Sequence, residues 1–302
     1  MTHHYLTLFD TTYAVKGALM LESLARRSGE PHEVTVIALD DVAARVAAAC
    51  PGVAVTPLAA LEAAVPGLAA ARAARTWREY CWTLASVALR WRLAQLAPGD
   101  VLTYLDADLG FFSDPAACHA ELGDRSIGIV LHNFAEAAEG RIESSGLFNV
   151  SWVSMRNDEA GRACAVDWAG CVLARCAETD CGDQRYLSAW PARYGAALHV
   201  FASPGIGVAP WNVFGYRVEN GHAVTVNEHP VVFYHYHELQ PPSGNAPTGH
   251  GFECKPDVCH RTLLFLDGFQ LTIGYPLRPV DIDAFYRPYL ARYRARAAEL
   301  AC

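Results

Sequence analysis

The chain has 302 residues, 52% hydrophobic and 19% charged, a balance that favours a large buried core and excludes a disordered chain. Lys and Arg number 24 against 32 Asp and Glu, a net charge of -8, which argues against a nucleic-acid binder with its basic stripe. No run of about 18 apolar residues occurs, so no membrane-spanning helix is expected.

The first five residues carry neither a cationic segment nor a long apolar stretch, and they do not read as a signal peptide. The ten cysteines are therefore expected in a reducing cytosol. His3 and His4, close to the start, are expected in solvent. Residues 4–9 read as a first strand. Thr11 or Thr12 can cap a helix over 13–27, where Gly17, Leu21 and Leu24 recur at helical spacing. A second strand over 33–39, a helix over 41–49 and a short strand over 53–56 follow. A long helix over 77–96 stops at Pro98-Gly99. Val101–Leu105 is a continuous apolar run, the pattern of a parallel strand buried on both faces. Further strands are expected over 126–131 and 147–155, a helix over 157–176, and another starting within 183–190. Residues 222–236 read as a hairpin turning at 226–229, and 281–300 as a C-terminal helix. Strand–helix alternation predicts an α/β fold with a mostly parallel, twisted sheet flanked by helices and a small C-terminal antiparallel element. Ligands of such sheets bind at the carboxyl ends of the strands.

Asp106 and Asp108 follow the buried strand directly. Extended residues two apart point to the same side, so the two carboxylates face each other and repel unless a positive charge lies between them. A hard divalent cation meets that need. The competing reading is a loop Asp that caps the next turn, with the second Asp in solvent. A third ligand can come from His235 or His237, which share one side after the apolar run 231–233. Two carboxylates with an imidazole favour manganese over magnesium. Cys164, Cys171, Cys176 and Cys181, separated by six, four and four residues, match zinc spacing poorly and read as small buried hydrophobes.

The string from Tyr104 to Pro115 (Tyr-Leu-Asp-Ala-Asp-Leu-Gly-Phe-Phe-Ser-Asp-Pro) resembles the Asp-x-Asp segment of nucleotide-sugar glycosyltransferases of the GT-A fold. More specifically, the chain resembles bacterial proteins near the retaining family 8 glycosyltransferases. The segments beginning at Leu8, Glu79, Ser145, Gly182, Gly207 and Tyr234 match in order, over about residues 4–240. The resemblance implies a hexosyltransferase-type enzyme that uses a UDP-sugar donor and Mn2+ or Mg2+. It implies Asp106, Asp108 and His235 as metal ligands, with Asp106 also touching the donor. Asp10 and Tyr13 would contact uracil and ribose, and Asn149 and Asp183 the sugar hydroxyls. Gln184 would lie beneath the anomeric carbon and, with Asp183, act in catalysis. The family's closing His-Gly-Lys-Pro-Trp segment is absent. The lysine that would touch the diphosphate is missing with it, and Arg75 or Arg78 are the replacements.

The expected organisation is one glycosyltransferase domain over 1–302: a nucleotide-sugar-binding and catalytic core over about 1–240, then a loop and C-terminal helix over about 241–302. The Pro- and Gly-rich stretch 240–251 has the composition of a lid or a surface loop. The tail interleaves Tyr286, Tyr289 and Tyr293 with Arg287, Arg292, Arg294 and Arg296, which fits either an anionic membrane surface or a helix seating its tyrosines on the domain. The location expected is cytoplasmic, with peripheral contact to the inner membrane as an option. The acceptor is left open among glycan, lipid-linked glycan, protein and small molecule. His132 ends a strand and can enter the site, and Trp211-Asn212 fits the acceptor side. Two other functions compete. An inactive nucleotide-sugar-binding protein would have decayed carboxylates, which are intact here. A sugar nucleotidyltransferase would have a Gly-rich basic loop after the first strand, where Phe9-Asp-Thr-Thr-Tyr13 has none.

Overall fold

The structure is a computed structural model that describes residues 3–240, 255–256, 262–266, 269–273 and 275–301. Residues 241–251, which hold the expected lid or surface loop, lie outside the described residues.

His3–Phe9 (β1) is buried from His4 onward. His4 is buried within the strand and pairs with Glu33 at 3.2 Å and Asp100 at 3.3 Å, so the terminus is structured where solvent was expected. Asp10 caps the following turn, its side chain accepting from the Thr12 and Tyr13 amides. It takes the role expected of Thr11 or Thr12 because its carboxylate reaches both exposed amides at once. The turn feeds Ala14–Arg27 (α1), then His32–Ala38 (β2), Asp41–Ala48 (α2) and Val53–Pro57 (β3). Two short helices, Leu58–Ala64 (α3) and Leu68–Ala74 (α4), precede Trp77–Leu93 (α5), which starts in a Thr76/Glu79 capping box. Next come Val101–Leu105 (β4), Leu109–Phe111 (β5), Ala116–Leu122 (α6), Ile127–Leu131 (β6), Ile142–Ser145 (α7), Phe148–Arg156 (β7) and Glu159–Ala174 (α8). Trp190–Tyr194 (α9) leads to Leu198–Phe201 (β8). Short strands follow: Val218–Asn220 (β9), Val224–Val226 (β10), His229–Pro230 (β11), Phe233–His235 (β12), Leu239–Gln240 (β13), Lys255–Pro256 (β14), Thr262–Leu266 (β15) and Phe269–Ile273 (β16). Pro279–Asp281 (α10) passes through a π-helical turn over Ile282–Tyr286 into Arg287–Ala301 (α11).

Seven strands form the main sheet in the order β3-β2-β1-β4-β7-β6-β8. β1 is parallel to β2 and β4, β2 to β3, and β6 to β8, while β7 runs antiparallel to β4 and β6. The sheet is therefore mostly parallel, as expected, with one reversed strand. The chain leaves β1 toward β2 and β3, then returns to its other side as β4, so β1 and β4 flank a switch point. Ligand crevices form at the carboxyl ends of such strands. Asp10 follows β1 there, and Asp106 and Asp108 follow β4. Because β7 is reversed, its first residues reach the same edge.

Neighbouring residues of a strand face opposite sides of the sheet, and the two cores divide along that line. Leu6, Leu8, Leu102 and Tyr104 pack with Leu84 and Leu89 of α5 and Trp168 of α8. Tyr5, Phe9, Val101 and Leu105 pack with Met20 and Leu24 of α1 and with Trp152. Cys164 and Cys176 are buried in the first of these cores.

The predicted hairpin exists as β10 and β11, with Val226 opposite His229. Asn227 and Glu228 adopt positive φ of 48° and 70° at its turn, the backbone of a two-residue hairpin. β12 departs from that hairpin and pairs instead with β5. Gly110 of β5 permits this approach: a Cβ there would sit 2.8 Å from the Tyr236 ring.

The tyrosines of the C-terminal helix face the domain. Tyr286, Tyr289 and Tyr293 are all buried. Tyr289 stacks on Tyr236 with centroids 3.7 Å apart, and the Tyr286 and Tyr234 hydroxyls lie 2.9 Å apart. Arg292 pairs with Glu22 of α1 at 2.9 Å, and Arg296 with the same carboxylate at 3.2 Å. The aromatic half that a membrane-surface helix would present is thus committed to the core. No described helix is long and apolar enough to cross a membrane.

Candidate active site

Asp106 leaves β4 with its amide donating to the Ser151 carbonyl of β7 (3.1 Å), and its Oδ1 accepts from the Tyr104 hydroxyl (3.1 Å). The β5–β12 pairing brings His235 alongside: His235 lies opposite Leu109, and the Tyr236 amide donates to the Asp108 carbonyl at 2.9 Å. His235 Nε2 is 3.1 Å from Asp108 Oδ1 and 3.8 Å from Asp106 Oδ2. One ligand atom from each of the three residues fits within 4.8 Å, and this is the one such group among the described residues. The four cysteines at 164–181 form no such group there.

The charges in this cluster are strained against burial. Burial pushes Asp106 up to about 6, against the pull of His235. Burial acts on Asp108 too, but the adjacent His235 ring outweighs it and holds that carboxyl well below the usual range. Burial pulls His235 down, and the contact with Asp108 overcomes it and raises the imidazole. His235 is thus the positive partner of two crowded carboxylates. The donor set, two carboxylates and one imidazole, suits a divalent cation, which would have to displace protons from Asp106 and His235. Affinity for Mn2+ is therefore expected to fall by about tenfold or more between pH 7.5 and pH 5.0. Calorimetric titration at the two pH values checks this, and equal affinities would remove these residues as ligands.

Near Asp106 a second group of predicted residues comes together. Asn149, at the start of β7, donates from Nδ2 to Gln184 Oε1 (3.2 Å) and lies 3.3 Å from His132 Nε2. Its Oδ1 accepts from the Ser151 amide at 2.9 Å, and Gln184 Nε2 donates to the Ser145 carbonyl at 2.5 Å. Burial pulls His132 down to about 3, which leaves its ring neutral and able to accept. Asp183 is buried, and burial together with the nearby Asp106 charge raises its carboxyl well above the usual range. Its carbonyl accepts from Trp168 Nε1 at 3.0 Å, which ties this turn to α8. Gly182 precedes it at φ +57°, where a Cβ would sit 2.6 Å from Trp82, so the turn depends on glycine.

Asp10 and Tyr13 lie at the β1 end of the same edge. Besides capping the turn, Asp10 accepts from Trp77 Nε1 at 2.8 Å, and Trp77 is 42% exposed. Nothing in the sequence had singled out Trp77 beyond its place in a helix. Arg75 does not join the group: its guanidinium donates to the Val172 and Leu173 carbonyls at 3.0 and 2.7 Å and to the Thr83 hydroxyl. Arg78 pairs with Glu178 at 2.7 Å on the surface. Trp211 packs edge-on against His235 with centroids 5.3 Å apart, and Asn212 donates to the His132 and Gly207 carbonyls at 2.9 Å. Trp211 thus packs on the cluster, and Asn212 ties its loop to His132. His237 lies 3.9 Å from Glu238 and outside the three-residue group.

The fold is of GT-A type. The crystal structure of mouse xyloside xylosyltransferase 1, apo form, shares the fold with a TM-score of 0.52 at 14% identity, over 78% of this chain and 98% of that one. The chain belongs to the family of the uncharacterized protein YfnD of Bacillus subtilis: the two are 30% identical over 242 residues, 78% of this chain and 77% of YfnD. The uncharacterized protein YfnF of the same organism is 28% identical over 193 residues, 60% of this chain and 62% of YfnF. No protein-family model matches the chain.

Proposed function

We propose that the chain is a metal-dependent glycosyltransferase that moves a sugar from a UDP-sugar to an acceptor with retention at the anomeric carbon. The observation that carries this reading is one of position. Asp106, Asp108 and His235 converge within 4.8 Å beside the linked pair Asn149 and Gln184, on the crevice edge of a GT-A fold. A glycosyltransferase needs both groups, one for the leaving diphosphate and one for the sugar. The fold it shares with an enzyme named as a xylosyltransferase supports the same reading.

Mn2+ or Mg2+ held by Asp106, Asp108 and His235 would act as a Lewis acid on the departing diphosphate. Tyr13 offers a ring for the base, and Asp10 a carboxylate for the uracil or ribose. Asn149 and Asp183 hydrogen-bond sugar hydroxyls. Gln184 presents its amide oxygen to the oxocarbenium-like carbon. An acceptor hydroxyl would then attack from the face the diphosphate leaves, its proton passing to the departing diphosphate oxygen, which gives retention without a covalent intermediate.

Thermal shift against a panel of nucleotide sugars, with Mn2+ and then with EDTA, tests the reading. A donor at about 100 times its Kd adds about 2.7 kcal/mol of stability. At about 2–4 °C per kcal/mol, the midpoint should rise by several degrees. A Mn2+-dependent rise with one donor is expected and identifies the sugar. A flat response across the panel overturns the reading, and a rise without donor turnover favours a nucleotide-sugar sensor.

A further inference from the structure

Lys16 is one of two lysines in the sequence, and it is 1% exposed. An ammonium carries three hydrogen-bond donors, and burying it unpaired is costly. Its Nζ has no hydrogen-bond partner. It sits 4.2 Å from the centroid of the Tyr13 ring, one helical turn earlier. Burial pulls Lys16 down, and Asp108 and Glu238 oppose that pull. Its charge in turn lowers both Asp108 and His235. The ammonium therefore lies against the Tyr13 ring, within electrostatic reach of Asp108 and Glu238, with all three donors unused. The first turn of α1 adds the positive end of a helix dipole in the same place.

The surrounding charges say what this ammonium is for. Asp106, Asp108 and Glu238 bring negative charge to the site, and a diphosphate entering it gains from positive charge beyond that of one divalent cation. Arg75 is held by two backbone carbonyls and Arg78 pairs with Glu178 on the surface, whereas Lys16 is buried against the Tyr13 ring without a hydrogen-bond partner. We infer that Lys16 is the diphosphate-binding cation of this site, donating to phosphate oxygens on the side that faces Tyr13. That the diphosphate belongs to a nucleotide sugar rests on the function proposed above; the anion site itself does not.

Lys16→Met keeps the length of the side chain and removes its charge, and Lys16→Gln is a second variant should the first fail to fold. Calorimetric titration with inorganic pyrophosphate in the presence of Mn2+ is the direct probe, with uridine as the phosphate-free control. Losing charge-assisted hydrogen bonds should weaken pyrophosphate about ten- to a hundredfold, while uridine binds as to the unaltered protein. A merely structural lysine would weaken both alike. Unchanged pyrophosphate affinity in a folded variant, or no pyrophosphate binding by the unaltered protein, overturns the assignment. Lys16-dependent pyrophosphate binding with no response to any nucleotide sugar would uphold the anion site and reject the transferase reading.

Discussion

Asp108→Asn is expected to lower kcat/KM for transfer by about a thousandfold or more, since a catalytic cation stabilises the transition state by several kcal/mol. The same change should weaken Mn2+ binding in a titration without donor. Asn keeps the shape of the side chain but removes the charge that meets His235 at 3.1 Å. The accompanying stability change has a defined sign. The folded-state pKa of Asp108 lies below its unfolded value, so its charge stabilises the metal-free protein above about pH 4. That contribution fades as pH falls through the folded pKa. Asp108→Asn should therefore lower the metal-free midpoint at pH 7, and the gap should narrow on acidification. Asp106 has the opposite sign. Its folded pKa is pushed up to about 6, so ionising it costs stability once pH rises past the ordinary carboxylate range. Asp106→Asn should therefore leave the metal-free midpoint at pH 7 unchanged or higher, while losing turnover as Asp108→Asn does. Retained activity in Asp108→Asn would remove it from the metal site. Equal destabilisation by the two variants would refute the charge arrangement.

Asp106 and Asp108 were legible because a fully buried apolar strand ends on them, and sheet topology places such ends at the crevice. The spacing leaves His235 and His237 as alternatives, and the partner strand brings His235 alone into the three-residue group. β5 and β12 have three residues each, too few for a periodic signal, so their pairing is a tertiary fact. Arg75 illustrates the reverse limit. Its guanidinium is drawn to the open carbonyls at the C-terminal end of α8, and nothing local to residue 75 announces that helix as a neighbour. Lys16 occupies an ordinary helical position, and a rare lysine in an Arg-rich chain reads as composition. Burial without a hydrogen-bond partner distinguishes it, and only the folded chain supplies that. The C-terminal tyrosines alternate with arginines in a way that serves a membrane or a core equally. The stacking of Tyr289 on Tyr236 decides for the core. The strands β15 and β16 went unforeseen because the Pro- and Gly-rich stretch before them suggested a loop running into the final helix.

On the function proposed above, the sugar side of the site yields a split between two neighbouring residues. Gln184→Ala is expected to lower kcat by about a hundred- to a thousandfold, the cost of removing one preorganised polar group that acts on the transition state. Its amide is fixed from both ends. The Ser145 carbonyl accepts only a donor, which assigns Gln184 Nε2 to it, and the Ser151 amide requires Asn149 Oδ1 as acceptor. Asn149 Nδ2 is then the donor to Gln184 Oε1, and that oxygen keeps a second lone pair for developing positive charge. Because the oxygen is oriented before the donor binds, the benefit falls on the chemical step, and the donor's Kd should hardly move. Asp183 differs. Burial and Asp106 raise its carboxyl well above the usual range, which favours the protonated form, and that form would meet a sugar through a neutral hydrogen bond. Asp183→Asn should therefore raise KM by no more than about tenfold, the measure of one neutral hydrogen bond, with kcat largely kept. Steady-state kinetics with a single donor separate the two roles. A large kcat loss in Asp183→Asn with a mild Gln184→Ala would exchange them and make Asp183 the group that meets the anomeric carbon.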